Sequence, residues 1–457
     1  MAERLVVLGA SVSALVAADT VASRGREVEL VLPAGPIGSG FLPIEAVGRQ
    51  LDVGPRIIEL GYDELIADPP SLSEYRPGTH GHRPFLASID ALVRGLAGDD
   101  LEEIVPPAIW RRGRRARDFV LGGDLADLPD LLDEGEQEAI ANEASAAARA
   151  LGPAGLLTSD LSMVSLADAS RQNHGPTFHH EFIGALAAKI LPGGADQVVA
   201  ELRRKIWLPL FWPETLSAAC GVGSLTYRPA RPMHTVRGGG MGELVRRLLA
   251  RVRDHDGIEV AERGRVNEIT EDGAGTLISF AAGPPVEARD VVVAVGPQES
   301  FRLAGFTGPF DRAWGNFVWL DVELSATEPD FSTCFVVDGE VPVLRVTTSN
   351  ADDRPGWRTY VVELTAAVTP DAAFQVASHW LHALGVVADG ASVLPVHAIA
   401  GPSFTLPTFV NRQRFAEGRS HLSAADLPAD VIGAEVFGAD SFNEQVVQGL
   451  AAAERWT

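Results

Sequence analysis

The stretch Arg4-Leu-Val-Val-Leu8-Gly9-Ala10-Ser11-Val12-Ser13-Ala14-Leu15, continued to Leu32-Pro33, decides the fold. Residues 5–8 form a short apolar run that stops at Gly9, which reads as a strand ending in a tight turn. Leu15, Ala18, Val21 and Ala22 then recur at helical spacing, so a helix is predicted over 13–23 with Gly25 closing it. Residues 27–32 pass from alternating to continuously apolar, as a parallel strand covered on both faces should. Strand, helix and strand within thirty residues make a βαβ unit. The apolar run after Arg4 also has the layout of a secretory leader. Asp19 and the strand after Arg26 continue a folded pattern, however, which favours strand, turn and helix.

A turn of this kind is where a dinucleotide's diphosphate rests, because backbone N–H groups and the positive end of the helix dipole face it. The expected spacing is G-x-G-x-x-G, with a carboxylate closing the second strand for the ribose hydroxyls. This chain carries Gly9, Ser11 and Ala14 at those places and Leu32-Pro33 at the strand end. Ser11 puts a side chain where the second glycine lets the backbone approach phosphate. Ala14 widens a helix–strand contact slightly, and Leu32 accepts no hydrogen bond. Glu29 lies three residues too early to replace the carboxylate.

At 457 residues the chain has room for two or three domains. Its formal net charge of −23 disfavours nucleic acid and anionic lipid, and its acidic residues are spread along the chain as a solvated surface. Cys220 and Cys334 are too few for a disulfide framework or a cysteine zinc site, so a reducing cytoplasm is the expected compartment. No apolar run reaches the roughly 18 residues that span a membrane.

Working outward, a hairpin is predicted over 109–121 around Gly113 and a surface helix over 131–151. The hairpin carries Arg111, Arg112, Arg114, Arg115 and Arg117, which read as exposed charges before they read as a phosphate site. A second βαβ-like passage begins near Gly238 and ends with the strand 290–295. Strands are predicted at 317–324, 334–337, 341–347 and 359–364, a helix at 372–384, and a strand, loop and helix over 431–457.

Several motifs recur in one order. After the βαβ unit come Gly38-Ser39-Gly40-Phe41 and Gly48-Arg-Gln-Leu-Asp52-Val-Gly54-Pro55-Arg56, then Arg237-Gly238-Gly239-Gly240-Met241-Gly242. These are followed by Val266-Asn-Glu-Ile269, Arg289-Asp290-Val-Val-Val-Ala-Val295, Thr405-Leu-Pro-Thr408, Ile432-Gly-Ala-Glu435 and Ser441-Phe442-Asn443-Glu444-Gln445-Val446-Val-Gln448-Gly449. In this order the chain resembles the amine oxidase, phytoene desaturase and protoporphyrinogen oxidase group of flavoproteins over most of its length. The resemblance implies an α/β fold, with a Rossmann-like FAD-binding domain from 1–83, 228–300 and 405–457 and an inserted α+β substrate domain from 84–227 and 301–404. It implies FAD as cofactor, held by Gly9, Ser11, Ser13, Ala14, Gly54, Pro55, Arg56, Gly239, Met241, Val266, Glu435, Phe442, Asn443 and Val446. Thr405-Leu-Pro-Thr408 would stand as a strand beside the flavin. Ser11, Ala14, Leu32 and Ser39 depart from the group's pattern.

The implied activity is FAD-dependent oxidation of a small organic substrate in a specialised biosynthetic or catabolic pathway. Two rivals stand beside it: a non-redox isomerase or mutase, and a chain without FAD that serves as a binding or scaffold subunit or as a cofactor-free enzyme. Candidate catalytic groups are His179, His180, Lys189 and Arg56, since histidines serve acid–base work near neutral pH and a lysine can meet a substrate anion. No ligand spacing around the histidines suggests a metal. Expected partners are a small-molecule substrate, with no nucleic acid and no membrane span, and a homodimer as a candidate assembly.

Overall fold

The computed structural model describes residues 4–35, 37–55, 57–60, 70–77, 81–121, 125–224, 233–273, 275–323, 331–349, 356–388 and 390–457, with the backbone alone for Ser39, Thr158 and Asp272. At its centre lies a parallel sheet of five strands in the order Ile258–Arg263, Val28–Pro33, Leu5–Leu8, Asp290–Val293, Asp430–Val431. Every neighbouring pair is parallel. The chain first builds to one side of Leu5–Leu8 and later to the other, so the order reverses there. A crevice outside the carboxyl ends of the strands is expected at such a reversal.

The helices Val12–Ser23, Leu86–Ala97, Gly240–Asp254 and Phe442–Trp456 cover one face and form one apolar core with Leu5, Val7 and Leu30. The small antiparallel sheet of Val266–Asp272, Gly275–Phe280 and Val286–Ala288 backs the other face through Val6, Leu8 and Ile278. Helix Val12–Ser23 and the C-terminal helix cross closely at Gly449. A Cβ there would lie 2.6 Å from Ser13 O.

Two further large cores lie beyond the parallel sheet. One gathers Phe119, Phe178, Phe182, Phe211 and the alanine-rich helix Glu134–Leu151, whose N-terminus is closed by an Asp133–Glu136 capping box. The other packs helix Ala373–Ala383 on a seven-stranded mixed sheet that starts at the edge strand Val393–Thr405 and ends at the hairpin Ala108–Arg111 with Arg114–Arg117. Arg112 and Gly113 both take positive φ in the hairpin's turn, which suits a two-residue connection.

Arg112, Arg114, Arg115 and Arg117 of the hairpin are exposed, as expected, yet each has a partner, and only Arg111 is buried. Arg111 is buried, forks onto Glu136 and pairs with Glu181, while Arg112 reaches the same two carboxylates. Arg114 donates to Leu132 O, Arg115 lies over Phe331 and Arg117 pairs with Asp127. They hold the helical region to the sheet. Among the described residues no helix is long and apolar enough to cross a membrane.

Candidate functional site

The turn after the first strand is built as a helix cap. Gly9 has φ +154°, and a Cβ there would collide with Ala294 O at the end of the neighbouring strand. Only glycine lets the two loops at the reversal point touch. Ser11 is the N-cap of helix Val12–Ser23, its Oγ accepting from Ala14 N at 3.1 Å and donating to Ala294 O at 2.9 Å. Its side chain therefore ties the two loops together, and Ser13 Oγ sits 2.8 Å from it. The first helical amide, Val12 N, donates to Gln445 Oε1 at 3.1 Å. Leu32 is buried, and Glu29 pairs with Arg4.

The C-terminal helix and the loop before it lie beside this turn. Ile432 N donates to Val293 O, which places the loop 433–440 beside the loop after Asp290–Val293. Burial pushes the Glu435 carboxyl up, against the N–H groups of Gly433 and of Glu435 itself, which it accepts. Gln448 Nε2 donates to Ala439 O, while its buried Oε1, beside Gly433, has no partner among the described residues. Phe442 meets Phe41 edge-on at 5.7 Å, and Asn443 Nδ2 donates to Glu59 O at 2.8 Å. Met241, Val266 and Val446 are core residues, and Gly239 is the N-cap of helix Gly240–Asp254.

A cleft of about 290 Å³ is lined in part by Asp52, Gly54, Pro55 and Ile57. Glu102, Glu103 and Thr235 line it too, as do the hydroxyl residues Ser332, Thr333, Thr347 and Ser349, and Arg358. The hydroxyl wall follows from register, because Thr333 faces Thr347 across two antiparallel strands and their hydroxyls bond at 2.9 Å. Partly buried Arg345 pairs with Glu363 at 2.6 Å, and its guanidinium packs on Gly54, where a Cβ would lie 2.7 Å from it. Burial pushes the Glu363 carboxyl up, and Arg345 partly offsets that.

Of the candidate acid–base groups, His179, His180 and Lys189 do not line this cleft. His179 is buried in the π-helical turn His179–Gly184, where burial pushes it down to about 4, and His180 points to solvent. Lys189 donates to Val336 O and Val343 O, joining two strands, and burial pushes it down to about 7. Arg56 and the Ser39 side chain lie outside the described residues. Thr408 caps helix Phe409–Ala425 instead of continuing a strand. Among the described residues no group of three His, Cys, Asp or Glu side chains is placed to hold a metal. The hydroxyl wall and Gln445's bond went unread in the sequence. The first needs strand register, and the second a contact 433 residues apart in the chain.

No family model matches the chain, and no curated protein matches it by sequence. Solved structures do. Reduced UDP-galactopyranose mutase superposes with TM-score 0.71 at 14% identity, over 100% of this chain and 94% of that one. Putrescine oxidase bound to putrescine gives 0.56 at 16%, over 99% and 98%. Cyclohexylamine oxidase from Brevibacterium oxydans IH-35A gives 0.56 at 16%, over 100% and 99%. The chain therefore has the fold that these oxidases and the mutase share, the amine-oxidase-type architecture expected from its motifs.

Proposed function

We propose that the chain is an FAD-dependent enzyme acting on a small, polar, hydroxyl-bearing substrate in the 290 Å³ cleft. The carrying observation is the reversal of strand order at Leu5–Leu8, with the glycine turn and helix start that follow that strand. Three features suit a dinucleotide there: the Gly9 turn, the start of helix Val12–Ser23, and beside Gly433 a buried Gln448 carbonyl that has no partner among the described residues. Ser11 keeps the turn's geometry by capping, and Glu435 and Asn443 support the far side through loop and helix. Bound flavin would supply hydride or electron transfer, and the protein would supply orientation and a sheltered pocket. Serine and threonine hydroxyls, with Arg358, favour a substrate that exchanges hydrogen bonds over a purely aliphatic one.

That polar lining also favours a second reading, a non-redox flavin enzyme. It accords with the similarity to UDP-galactopyranose mutase, which has the higher TM-score of the three. The test is an absorption spectrum of the purified protein followed by titration with FAD. Bands near roughly 370 and 450 nm, those of a bound oxidised flavin, are expected. A colourless protein that ignores added FAD would end both readings. Anaerobic mixing with candidate substrates then divides them, since an oxidoreductase bleaches its flavin and an isomerase returns it oxidised.

A further inference from the structure

We infer that the Arg345 guanidinium is an oxyanion subsite at the edge of the cleft, and that the substrate taken there carries a carboxylate or a phosphate besides its hydroxyls. The inference rests on the proposed reading of that cleft. Arg345 and Thr347 are two residues apart on strand Val343–Thr348, so their side chains leave the same face of the sheet. Thr347 lines the cleft, and so does Gly54, against which the guanidinium packs. Gly54 has φ +69°, and a Cβ there would lie 2.7 Å from Arg345 Nη2. A side chain at this position would therefore cover the guanidinium, and glycine leaves it uncovered. Glu363 Oε2 engages Nε at 2.6 Å, and the Phe335 ring lies 6.0 Å from the guanidinium carbon. Among the described residues neither Nη atom makes a hydrogen bond, although the side chain is only 11% exposed. A guanidinium carries five N–H donors in one plane, a fork that matches the two oxygens of a carboxylate or phosphate. Donors so nearly buried are costly to leave without acceptors, and an oxygen-rich anion in the cleft would satisfy them. The Thr347 hydroxyl on the same face and Arg358 in the cleft lining add to the donors around it. Glu102 and Glu103 belong to a different strand, Leu101–Glu103, and Glu102 is paired with Arg237 at 3.2 Å. These two carboxylates suit the substrate's hydroxyls, and the arginine suits its anion.

The test titrates gluconate, glucose 6-phosphate and neutral glucose into the FAD-supplemented protein by calorimetry. Wild type is compared with the double variant Arg345→Met/Glu363→Gln, which removes the guanidinium without leaving a buried carboxylate unpaired. A second variant, Arg345→Lys, keeps the charge and loses the fork, and it carries the comparison if the double variant does not fold. In wild type at least one of the two anions is expected to bind about tenfold or more tightly than glucose, the order of charge-assisted hydrogen bonds. That preference should vanish in the double variant and shrink in Arg345→Lys, with glucose and FAD affinities unchanged in both. The tighter of the two anions then tells carboxylate from phosphate. Glucose bound as tightly as both anions by wild type, or a preference that survives in the double variant, would overturn the subsite and leave the cleft reading standing. A folded, FAD-binding wild type that takes none of the three probes would overturn the subsite and the hydroxyl-bearing substrate together. FAD affinity is read separately, so a failure of the flavin reading shows on its own.

Discussion

His174 shows what a buried polar side chain does in this molecule. Its Nε2 accepts from Phe211 N at 2.8 Å, its Nδ1 lies 3.3 Å from Ser170 Oγ, and its ring is packed against Phe178. Burial pushes it down to about 3, so the folded ring stays neutral over the ordinary pH range. In the unfolded chain a histidine titrates near roughly 6.5. Between those values the unfolded state binds a proton that the fold refuses, so stability falls as pH drops from about 6.5 toward 3. Urea melts at pH 7 and pH 4.5 should show wild type losing more stability than His174→Gln, and equal losses would count against the assignment. The same economy of partners operates at Ser11. Read from the sequence, Ser11 is a damaged glycine. In the fold it is an N-cap that also grips Ala294 O, so the exchange trades backbone proximity for a fixed turn.

Among the elements, helices Val12–Ser23 and Phe442–Trp456 cross at close quarters. Gly449 is the point of closest approach, and an added Cβ would lie 2.6 Å from Ser13 O and 2.8 Å from Val16 Cβ. Alanine gains about 1 kcal/mol of helix propensity over glycine. Overlap with a backbone oxygen on a packed helix costs about 1–3 kcal/mol, and the backbone cannot swing aside as a side-chain tip can. Gly449→Ala should therefore lower the urea midpoint at unchanged m-value, and a raised midpoint would show that the helices separate freely. Elements with a clear period were legible without coordinates. The βαβ unit, the hairpin at Gly113, the helix Glu134–Leu151 and the strands from Phe317 to Leu364 all lie within a few residues of expectation. Helix Phe409–Ala425 was not foreseen. Only Asn411, Phe415 and Gly418 of it are buried, so it shows no apolar stripe, and it is held by Gly418 lying against Phe301. The cleft was illegible for a related reason. Thr333 and Thr347 meet through strand pairing, and nothing in their spacing announces a shared wall.

At the scale of the whole molecule, the parallel sheet draws strands from three separate stretches of chain, and the intervening stretches build the helical region and the seven-stranded sheet. Several contacts tie these parts together. Trp319 Nε1 donates to Asp52 O at 2.8 Å, Arg49 pairs with Asp321, and Val199 N donates to Pro407 O at 2.9 Å. The second core likewise mixes Met233, Ala313, Phe335 and Leu406 with the central helices. Neither part can unfold without pulling on segments of the other, so one cooperative melting transition is expected. A dinucleotide that binds only the folded crevice stabilises by about 2.7 kcal/mol at a hundredfold excess over Kd. In a chain of this size that is a shift of a few degrees. Calorimetry with and without saturating FAD should show the single transition moving up as a whole. Two transitions, of which only one responds to FAD, would mean that the tethers at Asp52, Asp321 and Pro407 are too weak to couple the parts. Flavin binding would then be sensed on the parallel-sheet side alone.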